Sequence, residues 1–129
     1  MPYPSEFKYT KEHEWIKADG NTATIGITSY AQESLGDIVF VELPKPGTDI
    51  TAGKTFGSVE SVKAVSDLYA PATGTVIEVN GELATAPEKI NKDAHSAWML
   101  KMKLKNPGEL SSLLSASDYE KFVAEEGGQ

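Results

Sequence analysis

A lone lysine stands in a stretch of small and β-branched residues, Gly57–Pro71, with the sequence GSVESVKAVSDLYAP. Val59, Val62 and Val65 follow one another at intervals of three, so the two-residue alternation of a strand breaks around Lys63. A turn between two strands accounts for this break, and so does a single turn of helix. On the first interpretation the Lys63 amine points into water, where it is either a site of covalent modification or an ordinary solubilising group.

A second lysine lies in a run that nearly matches a phosphate-binding loop. The run GTDITAGKT ends in Gly-Lys-Thr, but the motif G-x-x-x-x-G-K-[ST] requires its first glycine at the position that Thr48 occupies. The residues after Lys54 have the composition of a strand, whereas the motif needs a helix there. A nucleotide-binding enzyme is therefore disfavoured, although it stays as an alternative.

The remaining reactive side chains form no catalytic set. His13 and His95 are the two histidines, there is no cysteine, and no H-E-x-x-H spacing occurs, so a metal site is not indicated. No G-x-S-x-G motif supports a serine hydrolase. A biotin carrier is disfavoured because no methionine flanks Lys63.

Composition excludes further classes of protein. The chain has 129 residues, of which 40% are apolar, enough for one globular domain with a core. Its net charge is −7, from 19 acids and 12 bases, and every base is lysine. An acidic chain without the arginine fork is a poor candidate for binding nucleic acid or an anionic membrane. No apolar run is long enough to span a bilayer.

The elements that must position Lys63 are mainly β-strands. A turn at Ala18–Asn21 predicts a hairpin, and a turn at Glu60–Ala64 would place Lys63 at a hairpin tip. Ser29–Gly36 predicts a short helix with a capping box of Ser29 and Gln32, and Ser117 with Glu120 predicts a second box. The predicted strands are Glu14–Lys17, Thr22–Ile27, Asp37–Leu43, Thr55–Val59, Val65–Tyr69, Gly74–Val79 and Ala97–Leu104, followed by helices over Pro107–Leu114 and Ser117–Glu126.

A weak internal repeat flanks the lysine segment. Gly36–Val41, GDIVFV, is similar to Gly74–Val79, GTVIEV. The repeat suggests two similar β units, with the segment containing Lys63 as an exposed connection between them.

The sequence resembles a known family, the H protein of the glycine cleavage system. The resemblance is carried by GSVESVKAVSD and LYAP around Lys63, and by the stretches GTVIEVN, HEWI, IGIT and LGDIVFVELP, and it extends over nearly the whole chain. It implies a lipoyl group joined by an amide to Lys63. It also implies a mainly β, lipoyl- and biotinyl-type barrel-sandwich fold of two similar β units, with a short helix in the N-terminal half and helices at the C-terminus.

The resemblance further implies a single carrier domain over 1–129, with a core over about 7–105 and a helical extension over about 107–126. Glu60, Gly47 and Gly74 match family positions that are associated with recognition by the lipoylating enzyme, a lipoate ligase or a lipoyl or octanoyl transferase. The protein is expected to be a monomer and not itself an enzyme. We expect it in the cytoplasm if its source is bacterial, and in the mitochondrial matrix if it comes from a eukaryote and a transit peptide has been removed.

The implied function is a shuttle between three enzymes. Lipoyl-Lys63 accepts an aminomethyl group from a pyridoxal-phosphate glycine decarboxylase, the P protein. It presents that group to a tetrahydrofolate-dependent aminomethyltransferase, the T protein, and is reoxidised by a flavin- and NAD-dependent dihydrolipoamide dehydrogenase, the L protein. An alternative with the same lysine is a lipoyl or octanoyl relay protein in lipoate biosynthesis.

The family also folds its loaded arm into a cleft. The cargo amine is cationic, so carboxylates are expected around it. Glu14 and Asp67 match the family positions expected to supply them, and Glu12 is a further candidate. Ser34 is also assigned to this cleft, although some relatives have histidine there.

Overall fold

The computed structural model describes residues 3–127, which form two antiparallel sheets and several short helices. The strands of this part of the chain are β1 (Lys8–Tyr9), β2 (Glu14–Asp19), β3 (Thr22–Ile27), β4 (Ile38–Glu42), β5 (Asp49–Ile50), β6 (Thr55–Ser61), β7 (Val65–Tyr69), β8 (Gly74–Val79) and β9 (Leu100–Leu104). The helices are α1 (Ser29–Leu35), α2 (Glu82–Thr85), α3 (Lys89–Lys92), a 3₁₀ helix (Pro107–Ser112) and α4 (Ala116–Gly127).

The strands are divided between a six-stranded sheet, in the order β1-β2-β3-β9-β8-β5, and a three-stranded sheet, in the order β4-β6-β7. The two sheets do not close into one barrel. The two strands of the internal repeat, β4 and β8, lie in different sheets. The predicted mainly β fold with helices at the C-terminus is confirmed.

The main core contains the inward-facing side chains of both sheets. The six-stranded sheet contributes residues such as Ile25 and Met102, and the three-stranded sheet contributes Val59 and Leu68, all at most 2% exposed. Strand β9 shows the expected alternation, because its buried residues are separated by lysines. The two-residue period of a half-buried strand thus indicates which side chains of β9 face the core.

An aromatic cluster joins α4 to the first strands. Phe7 stacks on Trp15 with ring centroids 4.4 Å apart, and Tyr9 stacks on Tyr119 of α4 at 4.8 Å. The Tyr119 hydroxyl lies 2.7 Å from His13 Nδ1 and 2.8 Å from Thr28 Oγ1. The C-terminal helix therefore packs on the part of the chain that enters β2.

The predicted capping box of α1 is wrong, although the helix begins at Ser29 and ends before Gly36 as predicted. Thr28 is the N-cap, and its Oγ1 accepts from Ala31 N at 3.2 Å. The backbone N–H of Ser29 donates instead to His95 Nε2 at 3.3 Å. Thr28 lies between the end of β3 and the start of α1, and its backbone is extended. It therefore occupies the N-cap position.

The predicted cap of α4 is also wrong. Ser115, rather than Ser117, caps the helix, since its Oγ accepts from Asp118 N at 3.2 Å. Tyr9 and Leu114 exchange two backbone hydrogen bonds of 2.9 Å, which fix the chain at Leu114 and let the helix begin directly after it. A tertiary contact thus decides between two serines that are equally good caps locally.

Several element boundaries differ from the predictions. The helix predicted over 107–114 is a 3₁₀ helix that ends at 112, and the strand predicted over 97–104 begins at 100. Ala97 is not in the strand because its N–H donates back to Asp93 O, completing a turn. β1, β5, α2 and α3 were not predicted. Strand β6 begins at Thr55, so the stretch after Gly53-Lys54 is a strand rather than the helix of a phosphate-binding loop.

Candidate functional site

Lys63 lies at the tip of the β6–β7 hairpin, in a turn that Ser61 organises. Ser61 N donates to Ala64 O at 2.8 Å, closing the turn. The Ser61 side chain is buried, and its Oγ accepts from Ala64 N at 3.1 Å and from Lys63 N at 3.3 Å. A serine that binds backbone N–H groups two and three residues ahead is a typical turn former. The backbone of the lysine is therefore held from inside the hairpin.

The tip is also fastened to the segment that leads from α1 into β4. Val62 N donates to Asp37 O at 3.0 Å. The stem of Lys63 lies over Gly36, where an added Cβ would be 3.7 Å from Lys63 Cε. Lys63 itself is exposed. Among residues 3–127, no carboxylate lies within ion-pair distance of its ammonium group.

An apolar patch surrounds the tip on the outer face of the three-stranded sheet. Phe40, Glu60 and Val65 are neighbours across three strands, because Glu60 pairs with both other residues. Phe40 is 51% exposed, Val65 68% and Val62 70%. We call Phe40, Val62 and Val65 the tip patch. Glu60, predicted as a recognition residue, is exposed in its middle.

The carboxyl group of Glu14 binds the backbone of β7 and is almost inaccessible, with 1% of the residue exposed. Its Oε2 accepts from Tyr69 N at 3.1 Å, and its Oε1 accepts from Thr10 Oγ1 at 2.7 Å. Burial raises the pKa of Glu14 to about 8, although the hydrogen bonds from Thr10 and Tyr69 act in the opposite direction. The nearby charge of Glu12 raises this pKa further. At neutral pH the acid is therefore mostly protonated.

The other predicted cleft residues differ in their relation to Glu14. Asp67 is exposed on β7. It is two residues before Tyr69, so the side chains of these two residues lie on the same face of the strand. Ser34 is exposed on the last turn of α1, next to the segment under Lys63. Glu12 lines a shallow pocket of about 300 Å³ together with Gly53 and residues of the 3₁₀ helix. Glu12 therefore lies close enough to Glu14 for its charge to act there, and its pocket is also lined by Thr10, whereas Asp67 makes no hydrogen bond to Glu14 among the described residues.

The two predicted recognition glycines lie in the other sheet. Gly47 has a φ of +93° in the turn before β5, a conformation that favours glycine. Gly74 begins β8, where an added Cβ would collide with the backbone oxygen of Lys103 and lie 2.6 Å from Met102 Cε. Gly74 pairs with Ile50, so both glycines belong to the β5–β8 edge. Their local role is to shape the fold, and neither makes a hydrogen bond to the hairpin tip among the described residues.

Two residues that hold the site were missed from the sequence. Ser61 carries a local signal, since a serine at the start of a turn is common. Asn91 carries none, because its side-chain amide binds Gly36 O and Ile38 N, which are 55 and 53 residues away in the chain. Such a contact cannot be found by periodicity or spacing.

Comparison with known proteins gives the family of the chain. The family model described as "Glycine cleavage H-protein" matches residues 7–126. The chain belongs to the glycine cleavage H-protein family. As a member of that family it is a component of the glycine cleavage system, and the resemblance found in the sequence is confirmed.

Relatives and a solved structure agree with this family. The chain is 70% identical over 128 residues to the glycine cleavage system H protein of Koribacter versatilis, and the match covers 99% of each chain. It is 66% identical over 128 residues to the H protein of Acidobacterium capsulatum, again covering 99% of both. The crystal structure of a glycine cleavage system H protein from Mycobacterium marinum matches with a TM-score of 0.84 and 39% identity, covering 97% of this chain and 99% of that one. Within residues 3–127, no helix has the length and apolar character needed to cross a membrane.

Proposed function

We propose that this H-protein family member is a lipoyl carrier in which the lipoyl group is joined by an amide to Nζ of Lys63. The observation that carries the proposal is a single lysine on a hydrogen-bonded hairpin tip, with an exposed amine, in a member of this family. When bound, the group supplies a dithiolane that takes up the aminomethyl group left by decarboxylation of glycine and is reduced as it does so. The hard chemistry therefore belongs to this group and to the partner enzymes.

The residues around Lys63 fit such a group. The backbone of the tip is held by Ser61 and Asp37, so little flexibility of the protein adds to that of the arm. Gly36 has no side chain to occupy the space beside the Lys63 stem. No acid of the described chain holds the ammonium, so forming the amide breaks no ion pair there. A fixed attachment point keeps the effective concentration of the arm high in a docked enzyme.

The tip patch is the surface that we propose the partner enzymes contact. Exposed apolar side chains next to a reactive group are typical of interaction sites. Exposed acids lie within and beside the patch. Glu60 lies within it, and Glu42 and Asp67 are two residues further along their strands, on the same face of the sheet. A partner would therefore present apolar side chains with a basic rim. The proposed partners are the glycine decarboxylase, the aminomethyltransferase, dihydrolipoamide dehydrogenase and the lipoate ligase or transferase.

Glu14 and Asp67 are proposed to receive the cationic amine of the cargo. A cation close to the Glu14 carboxyl would favour its charged form and oppose the effect of burial. Asp67 is two residues before Tyr69, whose N–H binds Glu14, and would supply a second negative charge. Because Glu14 is buried, the cargo would reach its oxygens only if the chain around Tyr69 or Thr10 moves slightly. Ser34 is two residues before Gly36, over which the Lys63 stem lies, and Glu12 acts on Glu14 through its charge.

The test is the mass of the protein after incubation with lipoate, ATP and a lipoate ligase, followed by peptide mapping. One added lipoyl group on Lys63 is expected. Lys63→Arg should fold and take up none, because a guanidinium does not form this amide. Lys54→Arg is the matched control, since Lys54 is exposed like Lys63 and lies directly after Gly53 in a turn. This variant should be modified to the same extent as the wild type. A wild-type protein that stays unmodified, or is modified equally in Lys63→Arg, would contradict the proposal.

A further inference from the structure

The side chain of Asn91 on α3 bridges two backbone groups of the segment under Lys63. Its Nδ2 donates to Gly36 O at 2.8 Å, and its Oδ1 accepts from Ile38 N at 2.8 Å. The neighbouring residue Ile90 is 0% exposed and anchors α3 in the core. Asn91 thus connects a fixed helix to the chain between α1 and β4.

The two hydrogen bonds of Asn91 have the pattern of a paired strand. In extended chain, the backbone groups of successive residues point to opposite edges. Gly36 and Ile38 present their C=O and N–H to one edge, where the Asn91 amide supplies the matching donor and acceptor. Asp37 presents its C=O to the other edge, where Val62 N of the hairpin tip donates to it. The segment 36–38 is therefore held between the tip and an amide side chain that replaces a strand.

We infer that Asn91 is a positioning residue that holds the Lys63 tip in the geometry recognised by the lipoylating enzyme. Without its amide, the segment 36–38 has a free edge and follows the hairpin less rigidly. Opening of this segment releases Val62 and removes the surface on which the Lys63 stem lies. The inference rests on the proposed attachment at Lys63, but it also predicts local dynamics that do not depend on any modification.

Two variants and a matched control test this role. Asn91→Ala removes both hydrogen bonds, and Asn91→Asp keeps the acceptor for Ile38 N but loses the donor to Gly36 O. Asn80 makes an equivalent pair of side-chain hydrogen bonds, donating to Trp98 O at 2.8 Å and accepting from Glu82 N at 3.2 Å. Asn80→Ala and Asn80→Asp therefore control for the loss of similar bonds elsewhere in the fold.

The first readout is amide hydrogen exchange of the unmodified protein. In the wild type, the Ile38 and Val62 amides should exchange at similar rates, because one local opening exposes both. The Asn91 variants should accelerate exchange at Val62 by about tenfold, as expected for losing hydrogen bonds of ordinary strength, and the Asn80 variants should leave it unchanged. Wild-type rates that differ widely between the two amides would overturn the coupling, even if a variant fails to fold.

The second readout is the kinetics of lipoylation by the ligase. If a substitution lowers the fraction of molecules that have the recognised tip geometry, KM rises by the same factor as that fraction falls, while kcat changes little. The Asn91 variants should therefore show a KM several-fold above that of the Asn80 variants. Equal KM values in all four variants would refute the positioning role while leaving Lys63 as the site. An unmodified wild type would instead refute the proposed function, and the exchange result would still decide the role of Asn91.

Discussion

Replacing Glu14 by glutamine removes an acid that the fold holds in its neutral form. Glu14 is 1% exposed, and burial raises its pKa from 4.5 to about 8. A glutamine can keep both contacts, because its oxygen can accept from Tyr69 N and its amide can donate to Thr10 Oγ1. Glu14→Gln therefore mimics the protonated acid without being able to ionise.

The raised pKa fixes the sign and size of the effect on stability. Since the folded state binds the proton more tightly, the stabilisation is complete below pH 4.5 and is lost as the pH rises towards 8. A pKa raised from 4.5 to about 8 corresponds to a stabilisation of at most about 5 kcal/mol. Between pH 5 and pH 8 the wild type should lose roughly 3–4 kcal/mol relative to Glu14→Gln.

The measurement is the free energy of unfolding in urea at several pH values from 5 to 8.5, for both proteins at one salt concentration. The difference between them should grow steadily in favour of the variant as the pH rises. Asp67→Asn is the matched control, since it replaces an exposed acid by its amide. Parallel curves for wild type and Glu14→Gln, or a carboxyl titration by NMR with a midpoint near 4.5, would refute the assignment of Glu14 as a buried neutral acid.

Two further substitutions test the fold and the docking surface. Gly74→Ala should destabilise the protein by about 2 kcal/mol or more, because its Cβ would meet backbone at Lys103, whereas Gly81→Ala has open space and should stay within about 0.5 kcal/mol in the same urea assay. Equal effects of the two alanines would contradict the close approach of β8 and β9. Val65→Thr on the tip patch should leave stability nearly unchanged but raise the KM for the lipoate ligase about fivefold, since roughly 1 kcal/mol of apolar contact would be lost on docking. An unchanged KM would remove Val65 from the proposed contact surface.

Much of the fold could be predicted from local sequence. The bounds of β3, β7 and β8 were predicted correctly, because alternation and flanking turn residues are encoded within a few positions. The broken alternation of the valines around Lys63 left two interpretations, a turn between strands or a single helical turn, and the structure shows the turn between strands. The family resemblance named the same lysine, which remains a proposed attachment site.

Elements without a local signal could not be predicted. β1 and β5 have two residues each, and α2 and α3 have four, too few for a period to be recognised. These elements are stabilised by partners far away in the chain. The caps at Thr28 and Ser115 were missed for a related reason, since the course of the chain before each helix decides which residue becomes the cap.

The sequence by itself determined the strand pattern, the exposed lysine and the family, because each depends on residue types at short, fixed spacings. Only the tertiary structure decided the environment of the candidate site. Glu14 is 1% exposed, and its carboxyl group accepts a hydrogen bond from the backbone N–H of Tyr69, 55 residues away. Asn91 comes to support the Lys63 tip because the packing of α3 brings it to the edge of the segment 36–38. Burial and long-range hydrogen bonds depend on which distant segments meet, and no local spacing records that.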